Sequence, residues 1–239
     1  MPTFTRGGVS LVYEEHGAGK PLLMFAPGGM RSRIAAWQRV QPNLIDALSK
    51  TYRVIVMDQR NAGASWAPIH ATDGWSTYTN DHLALLDHLG IGRFHALGVC
   101  IGGSFIAGLA LAAPDRLIAG AMLQPIGLDN NRDAFLELFD GWASEIKAKH
   151  PETAEEAWAS FRANLYEGDK VLFNASEEEL TSIQTPLLVL MGNDLYHPSS
   201  ASRTIAARAP NATLVEQWKE PEFHGATLER IAAFLAAHP

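Results

Sequence analysis

Six short strand-like runs recur along the chain, most followed by a stretch with a helical pattern, and that alternation leaves few folds open. The runs are PLLMFA (21–26), RVIVMD (53–58), FHALGVC (94–100), LIAGAMLQP (117–125), PLLVLMG (186–192) and ATLVEQW (212–218). A strand with one wet face alternates apolar and polar residues, whereas one that is apolar throughout must be covered on both faces. Helical patterns over 40–50, 76–89, 104–116, 199–209 and 225–236 can supply that cover. The repetition predicts an α/β fold with a mostly parallel sheet between helices. VSLVYEEHG (9–17) alternates instead and reads as a half-exposed edge strand.

The rhythm breaks over 127–175. This stretch is acidic and carries Phe135, Phe139, Trp142, Trp158, Phe161 and Tyr166 without a strand-like run. It reads as an inserted helical cap, which leaves 1–126 and 176–239 as the core domain. A chain of 239 residues is long enough to bury such a core.

Charge narrows the partners. A net charge of −7, with no lysine or arginine cluster, argues against a nucleic-acid backbone. No apolar run approaches the length needed to cross a bilayer. MPTFTRGGVS has no basic region followed by an apolar stretch, so a cytoplasmic protein is expected. The single cysteine cannot form an internal disulfide.

That cysteine sits in LGVCIGGS (97–104), where a strand runs into a glycine-rich turn and then a helix. In a nucleophile elbow the reactive residue occupies a sharp turn, and its neighbours must be small to avoid a clash. Gly98 and Gly102 fit that need, and Gly103 allows close helix–sheet approach. The Ile101 N–H, at the helix start, can face a developing oxyanion. A free thiol is only slightly ionised at neutral pH, and a helix N-terminus or a histidine favours the thiolate. The competing reading of Cys100 is a small buried hydrophobe.

A nucleophile needs a base, and the base needs an orienting carboxylate. Asp194 in GNDLYHP follows the next-to-last strand, and His224 in EPEFHG precedes the final helix. Both fall at carboxyl ends of parallel strands, in the chain order acid then base. His197, three residues after Asp194, could compete as the base, but it belongs to the acid's loop and precedes His224, so a supporting or structural role is expected. His82, His88 and His150 read as helix-surface residues. The loop APGGMRSR (26–33) is expected to give the second oxyanion donor from Gly29, with Met30 and Arg31 lining the substrate site. Arg31 and Arg33 are equally open to being surface charges or to having one of them reach into the cleft and pair with a substrate carboxylate or phosphate. No metal-ligand spacing, phosphate loop or dinucleotide fingerprint is present, so no cofactor or metal is implied.

Over nearly its full length the chain resembles the α/β-hydrolase fold family. The resemblance rests on APGG, DQRNAGAS (58–65), GVCIGG, LLVLMGNDLYHP and FHG. It implies an eight-stranded, mostly parallel sheet flanked by helices, a small helical cap, and acyl transfer through a covalent intermediate on a Cys100–His224–Asp194 triad. The sequence departs from the family in Pro27 before the oxyanion glycine, in Asn61, and in cysteine for serine. Two groups on this fold use cysteine. The chain is partly similar to the dienelactone hydrolases, and its G-x-C-x-G-G box matches polyhydroxyalkanoate synthases, for which it is too short. The expected activity is hydrolysis of a small or medium ester, lactone or thioester. An acyltransferase on the same residues, or an inactive ligand-binding protein of this fold, is the alternative. A small-molecule acyl substrate is the expected partner.

Overall fold

A computed structural model describes all 239 residues, Met1–Pro239. Eight strands form one sheet: β1 (Thr3–Arg6), β2 (Val9–His16), β3 (Lys20–Phe25), β4 (Tyr52–Met57), β5 (Phe94–Val99), β6 (Leu117–Leu123), β7 (Leu187–Leu190) and β8 (Ala212–Val215). Their order is β1-β2-β4-β3-β5-β6-β7-β8. β1 and β2 pair antiparallel at one edge, and β3 to β8 run parallel.

The helices are α1 (Leu44–Leu48), α2 (Trp75–His88), α3 (Gly102–Ala112), α4 (Arg132–Ile146), α5 (Glu155–Tyr166), α6 (Glu177–Ser182), α7 (Ser199–Arg208) and α8 (His224–Ala236). None is long and apolar enough to cross a membrane. The helical pattern over 40–50 shrinks to the single turn and a half of α1, capped by the Asn43 side chain on the Asp46 N–H. α3 stops at Ala113, which takes a non-helical backbone because Pro114 follows.

The parallel strands are mostly apolar because they feed two cores. Leu22, Met24, Val54 and Val56 pack on one side with Leu48, Ile231 and Leu235. Leu23, Phe25, Ile55 and Met57 pack on the other with Phe105, Ile106 and Leu85. The second core runs without a break into α4 and α5, taking in Phe139, Trp142, Trp158 and Phe161. The aromatic residues of 127–175 are therefore packing residues shared with the sheet. Two of the histidines expected on helix surfaces are buried there. His82 is fully buried against Phe25 and Phe105, and its ring hydrogen-bonds Gln59. Burial, then the nearby Arg60 charge, lowers its pKa to about 3. His150 is 3% exposed and stacks on Trp66.

The strand order places the site. The chain runs from β3 outward to β4, then crosses back to lay β5 on the other side of β3. Loops leaving the carboxyl ends of β3 and β5 therefore diverge from adjacent strands, the place where open α/β sheets bind ligands. Phe25 pairs with Gly98 in that register, so the residues just beyond each, Gly28 and Cys100, come together.

Candidate active site

The elbow is built by backbone constraint. Cys100 holds φ 62°, a left-handed conformation costing a non-glycine residue on the order of 1 kcal/mol. It is fixed there by its N–H on the Leu123 carbonyl (3.0 Å) and its carbonyl accepting from Gly103 (3.0 Å) and Ile126 (3.2 Å). A Cβ on Gly98 would lie 2.6 Å from the Gly102 carbonyl carbon and oxygen, which are backbone and cannot step aside. Gly98→Ala is expected to lower stability by about 1–3 kcal/mol, the range for overpacking, measured as a fall in the thermal midpoint. An unchanged midpoint would contradict this account of the turn.

Asp194 lies just past β7, as expected, but the imidazole beside Cys100 belongs to His197. His197 Nδ1–H donates to Asp194 Oδ1 at 2.7 Å. The same oxygen accepts from the backbone N–H groups of Tyr196 and His197, both at 3.1 Å, and Lys219 Nζ stands 3.5 Å from Oδ2. His197 Nε2 is buried without a hydrogen-bond partner, and the ring stands close enough to the Cys100 thiol for each to shift the other's titration. The loop folds back this tightly because residue 192 is glycine: a Cβ there would meet His197 O at 2.3 Å and His197 Cβ at 2.5 Å.

His224, the base expected from chain order, is elsewhere. It opens α8, and its Nε2–H points to the Lys219 carbonyl at 3.1 Å. The last strand ends at Val215 and the chain enters a short 3-10 turn, Pro221–Phe223, which leaves His224 facing its own loop.

The titration of the three groups follows from their contacts. Burial of the Cys100 sulfur opposes ionisation. The hydrogen bond and charge of His197, with the N–H groups of Gly28 and Ile101, more than offset it and bring the thiol below its ordinary value. Burial would lower His197, but Cys100 and then Asp194 raise it above an ordinary imidazole. Burial would raise Asp194, but the hydrogen bond and charge of His197 hold it below the usual carboxylate value. A depressed thiol facing an elevated imidazole favours the thiolate–imidazolium pair.

The backbone N–H groups that act on the titration of the sulfur are those of Gly28 and Ile101, where the sequence suggests Gly29 and Ile101 as oxyanion donors. Gly29 instead begins a 3-10 turn, Gly29–Arg31, that carries the chain away. Met30 does not present an open surface. It is 3% exposed, with its Sδ taking the hydroxyls of Tyr78 at 3.9 Å and Tyr166 at 3.7 Å. Burial, and after it the Cys100 charge, keeps Tyr166 protonated well past an ordinary phenol. Arg31 is occupied by Glu145, with Nε at 2.9 Å and Nη2 at 2.7 Å, and so pins the loop to α4.

DQRNAGAS is a structural clasp beneath this site. Asp58 accepts from the N–H of Ile34 (2.7 Å) and Ala64 (2.8 Å), joining the loop after β3 to the loop after β4. Arg60 is buried between Asp81 (2.7 and 3.1 Å) and Asp73 (3.4 Å).

Known proteins share this framework. A protein of Azorhizobium caulinodans named as a carbamate hydrolase, RutD, is 28% identical over 258 residues, spanning 95% of this chain and 94% of its own. An uncharacterized carboxylesterase of Bacillus subtilis is 26% identical over 196 residues, 71% of this chain and 64% of its own. The crystal structure of a hydrolase from Pseudomonas aeruginosa superposes with a TM-score of 0.72 at 27% identity, covering 98% of this chain and 97% of that one. The model of the alpha/beta hydrolase fold family matches residues 21–226, and the chain belongs to that family.

Proposed function

We propose that this hydrolase cleaves a small carboxylic ester or a related activated carbonyl through an acyl-cysteine intermediate, with Cys100 as nucleophile, His197 as base and Asp194 as its orienting acid. The observation that carries the reading is that His197, bound through Nδ1 to Asp194 and with its buried Nε2 unpartnered, is the ring that acts on the Cys100 thiol at the carboxyl edge of the sheet. The relatives named for carbamate and carboxylic ester chemistry support a carbonyl substrate.

The Cys100 thiolate attacks the carbonyl carbon, and the carbonyl electrons move onto oxygen. The N–H groups of Gly28 and Ile101 hold that oxyanion. As it collapses, the bond to the leaving group breaks, and His197 gives that group the imidazolium proton. Neutral His197 then takes a proton from water, whose oxygen attacks the thioester carbonyl. Collapse of the second oxyanion releases the acid, and the thiolate–imidazolium pair is restored. Asp194 stays ionised, fixing the ring so that Nε2 faces sulfur.

Intact-protein mass spectrometry with p-nitrophenyl acetate tests this. An acetyl adduct should form on the Cys100 peptide and then disappear with hydrolysis. Its formation rate should persist below pH ~8.5, where a free thiol loses reactivity, and fall only as pH drops through the depressed thiol pKa. Labelling that follows an ordinary thiol pKa, with no turnover, would return the chain to a ligand-binding role.

A further inference from the structure

Beside Gly28 the structure holds a cavity of about 610 Å³ between the loop after β3, residues 61–63 and the end of α4. Its charged wall is Arg31, Arg33, Arg39, Lys149 and a single carboxylate, Glu145. Glu145 is taken by Arg31, and this contact, with the nearby Arg33 charge, keeps its carboxyl below the usual value. Arg33, Arg39 and Lys149 make no ion pair of their own, so the wall carries an excess of three positive charges on a chain whose net charge is −7. Asn61 also lines it. This residue is 8% exposed, is held at φ 59° with its Oδ1 on the Ala67 N–H (2.9 Å), and leaves Nδ2 without a partner.

Clustered cations repel one another, and surface cations in an acidic protein ordinarily sit near carboxylates. Three unpaired ones around one cavity create a local field opposite to that of the whole molecule, which draws in anions and repels cations. Gly28 joins this field to the chemistry: it forms part of the cavity wall, and it lies just beyond Phe25, whose pairing with Gly98 brings it beside the Cys100 turn.

We propose that the cavity is an anion subsite for the substrate, in which Arg33, Arg39 and Lys149 hold a carboxylate or phosphate borne by the molecule whose carbonyl meets Cys100. The assignment rests on the acyl-cysteine reading for its second half only. The substrate class is then an ester with a remote anionic group. Arg31 is not a ligand: bound to Glu145, it sets the position of the loop.

The test compares mono-p-nitrophenyl glutarate with neutral p-nitrophenyl butyrate, in the wild type and in R33Q/R39Q/K149Q, whose positions are exposed. In the wild type kcat/KM should favour the anionic ester by about tenfold at low salt, and high salt should erode the preference. The triple variant should lose it while cleaving the neutral ester at the wild-type rate. Equal rates for the two esters in the wild type, or a preference that survives the triple substitution, would overturn the subsite. Failure of both esters would count against the acyl-cysteine reading. Calorimetric titration of glutarate and inorganic phosphate then decides the subsite: heat abolished by the triple substitution supports it, and no heat in the wild type overturns it. A response to glutarate alone assigns a carboxylate, and to phosphate alone a phosphate.

Discussion

His197→Ala should slow acylation of Cys100 by a factor of about 10²–10⁴, while His224→Ala should leave it near the wild-type rate. The contrast follows from which ring acts on the thiol: His197, held by Asp194, shifts the Cys100 titration, and His224 spends its Nε2–H on the Lys219 carbonyl. The pH profile separates the loss of a base from simple misfolding. Without His197 the thiol keeps its burial but loses the first of the contacts that depress it, so its pKa must rise. The rate–pH curve of His197→Ala should move to the alkaline side, and its remaining activity should recover as pH increases. Adduct formation measured by mass spectrometry across pH checks both halves. A wild-type rate in His197→Ala, or a large loss in His224→Ala, would put the base where chain order suggested.

The largest loss of stability is expected from Arg60→Met, about 3–5 kcal/mol. The Arg60, Asp73 and Asp81 side chains are 6–8% exposed, and one guanidinium serves both carboxylates. A thioether fills much of the volume but leaves two buried carboxylates with no cation between them. Asp73 keeps the His70 N–H at 2.9 Å, whereas Asp81 loses both of its guanidinium hydrogen bonds. Restoring apolar character on both sides, as in Arg60→Met with Asp81→Leu, should recover a good part of the loss, because desolvated charge is the source of the penalty. Urea unfolding of the two variants measures this, and a loss below about 1 kcal/mol for the single change would contradict it.

The parts of the molecule that were legible in the sequence are those where one physical demand dominates. β3 to β6 are covered on both faces, so their apolar runs announce them, and the elbow glycines are dictated by a backbone that touches itself. β1 was not legible: TFTR is a polar four-residue edge strand, visible only through its pairing with β2. Asp194 could be placed because its loop follows a recognisable strand. Chain order alone favours a base after β8, although Asp-Leu-Tyr-His holds a histidine three residues from the acid, within reach across a turn. The Gly28 and Gly29 amides differ only in which one the 3-10 turn carries away, and the letters of a Gly-Gly pair do not encode that. The burial of His82 is hidden from the sequence for a related reason. His82 lies on the face of α2 turned toward Phe25 of β3 and Phe105 of α3, so a polar residue there meets protein rather than water.

Placing Asp194 and His197 three residues apart on one loop also changes how the site answers thermal motion. When two partners hang from separate strands, every breathing mode of the sheet stretches the hydrogen bond between them. Here Asp194 Oδ1 is clipped to the amides of Tyr196 and His197, and the imidazole rides on the same turn, so the pair moves as one body. The variable left to fluctuation is the gap between that body and the sulfur. Transient fraying of α8, which in this architecture would ordinarily dismantle the relay, leaves the dyad intact. Amide exchange in α8 can therefore be fast without a matching loss of competent enzyme.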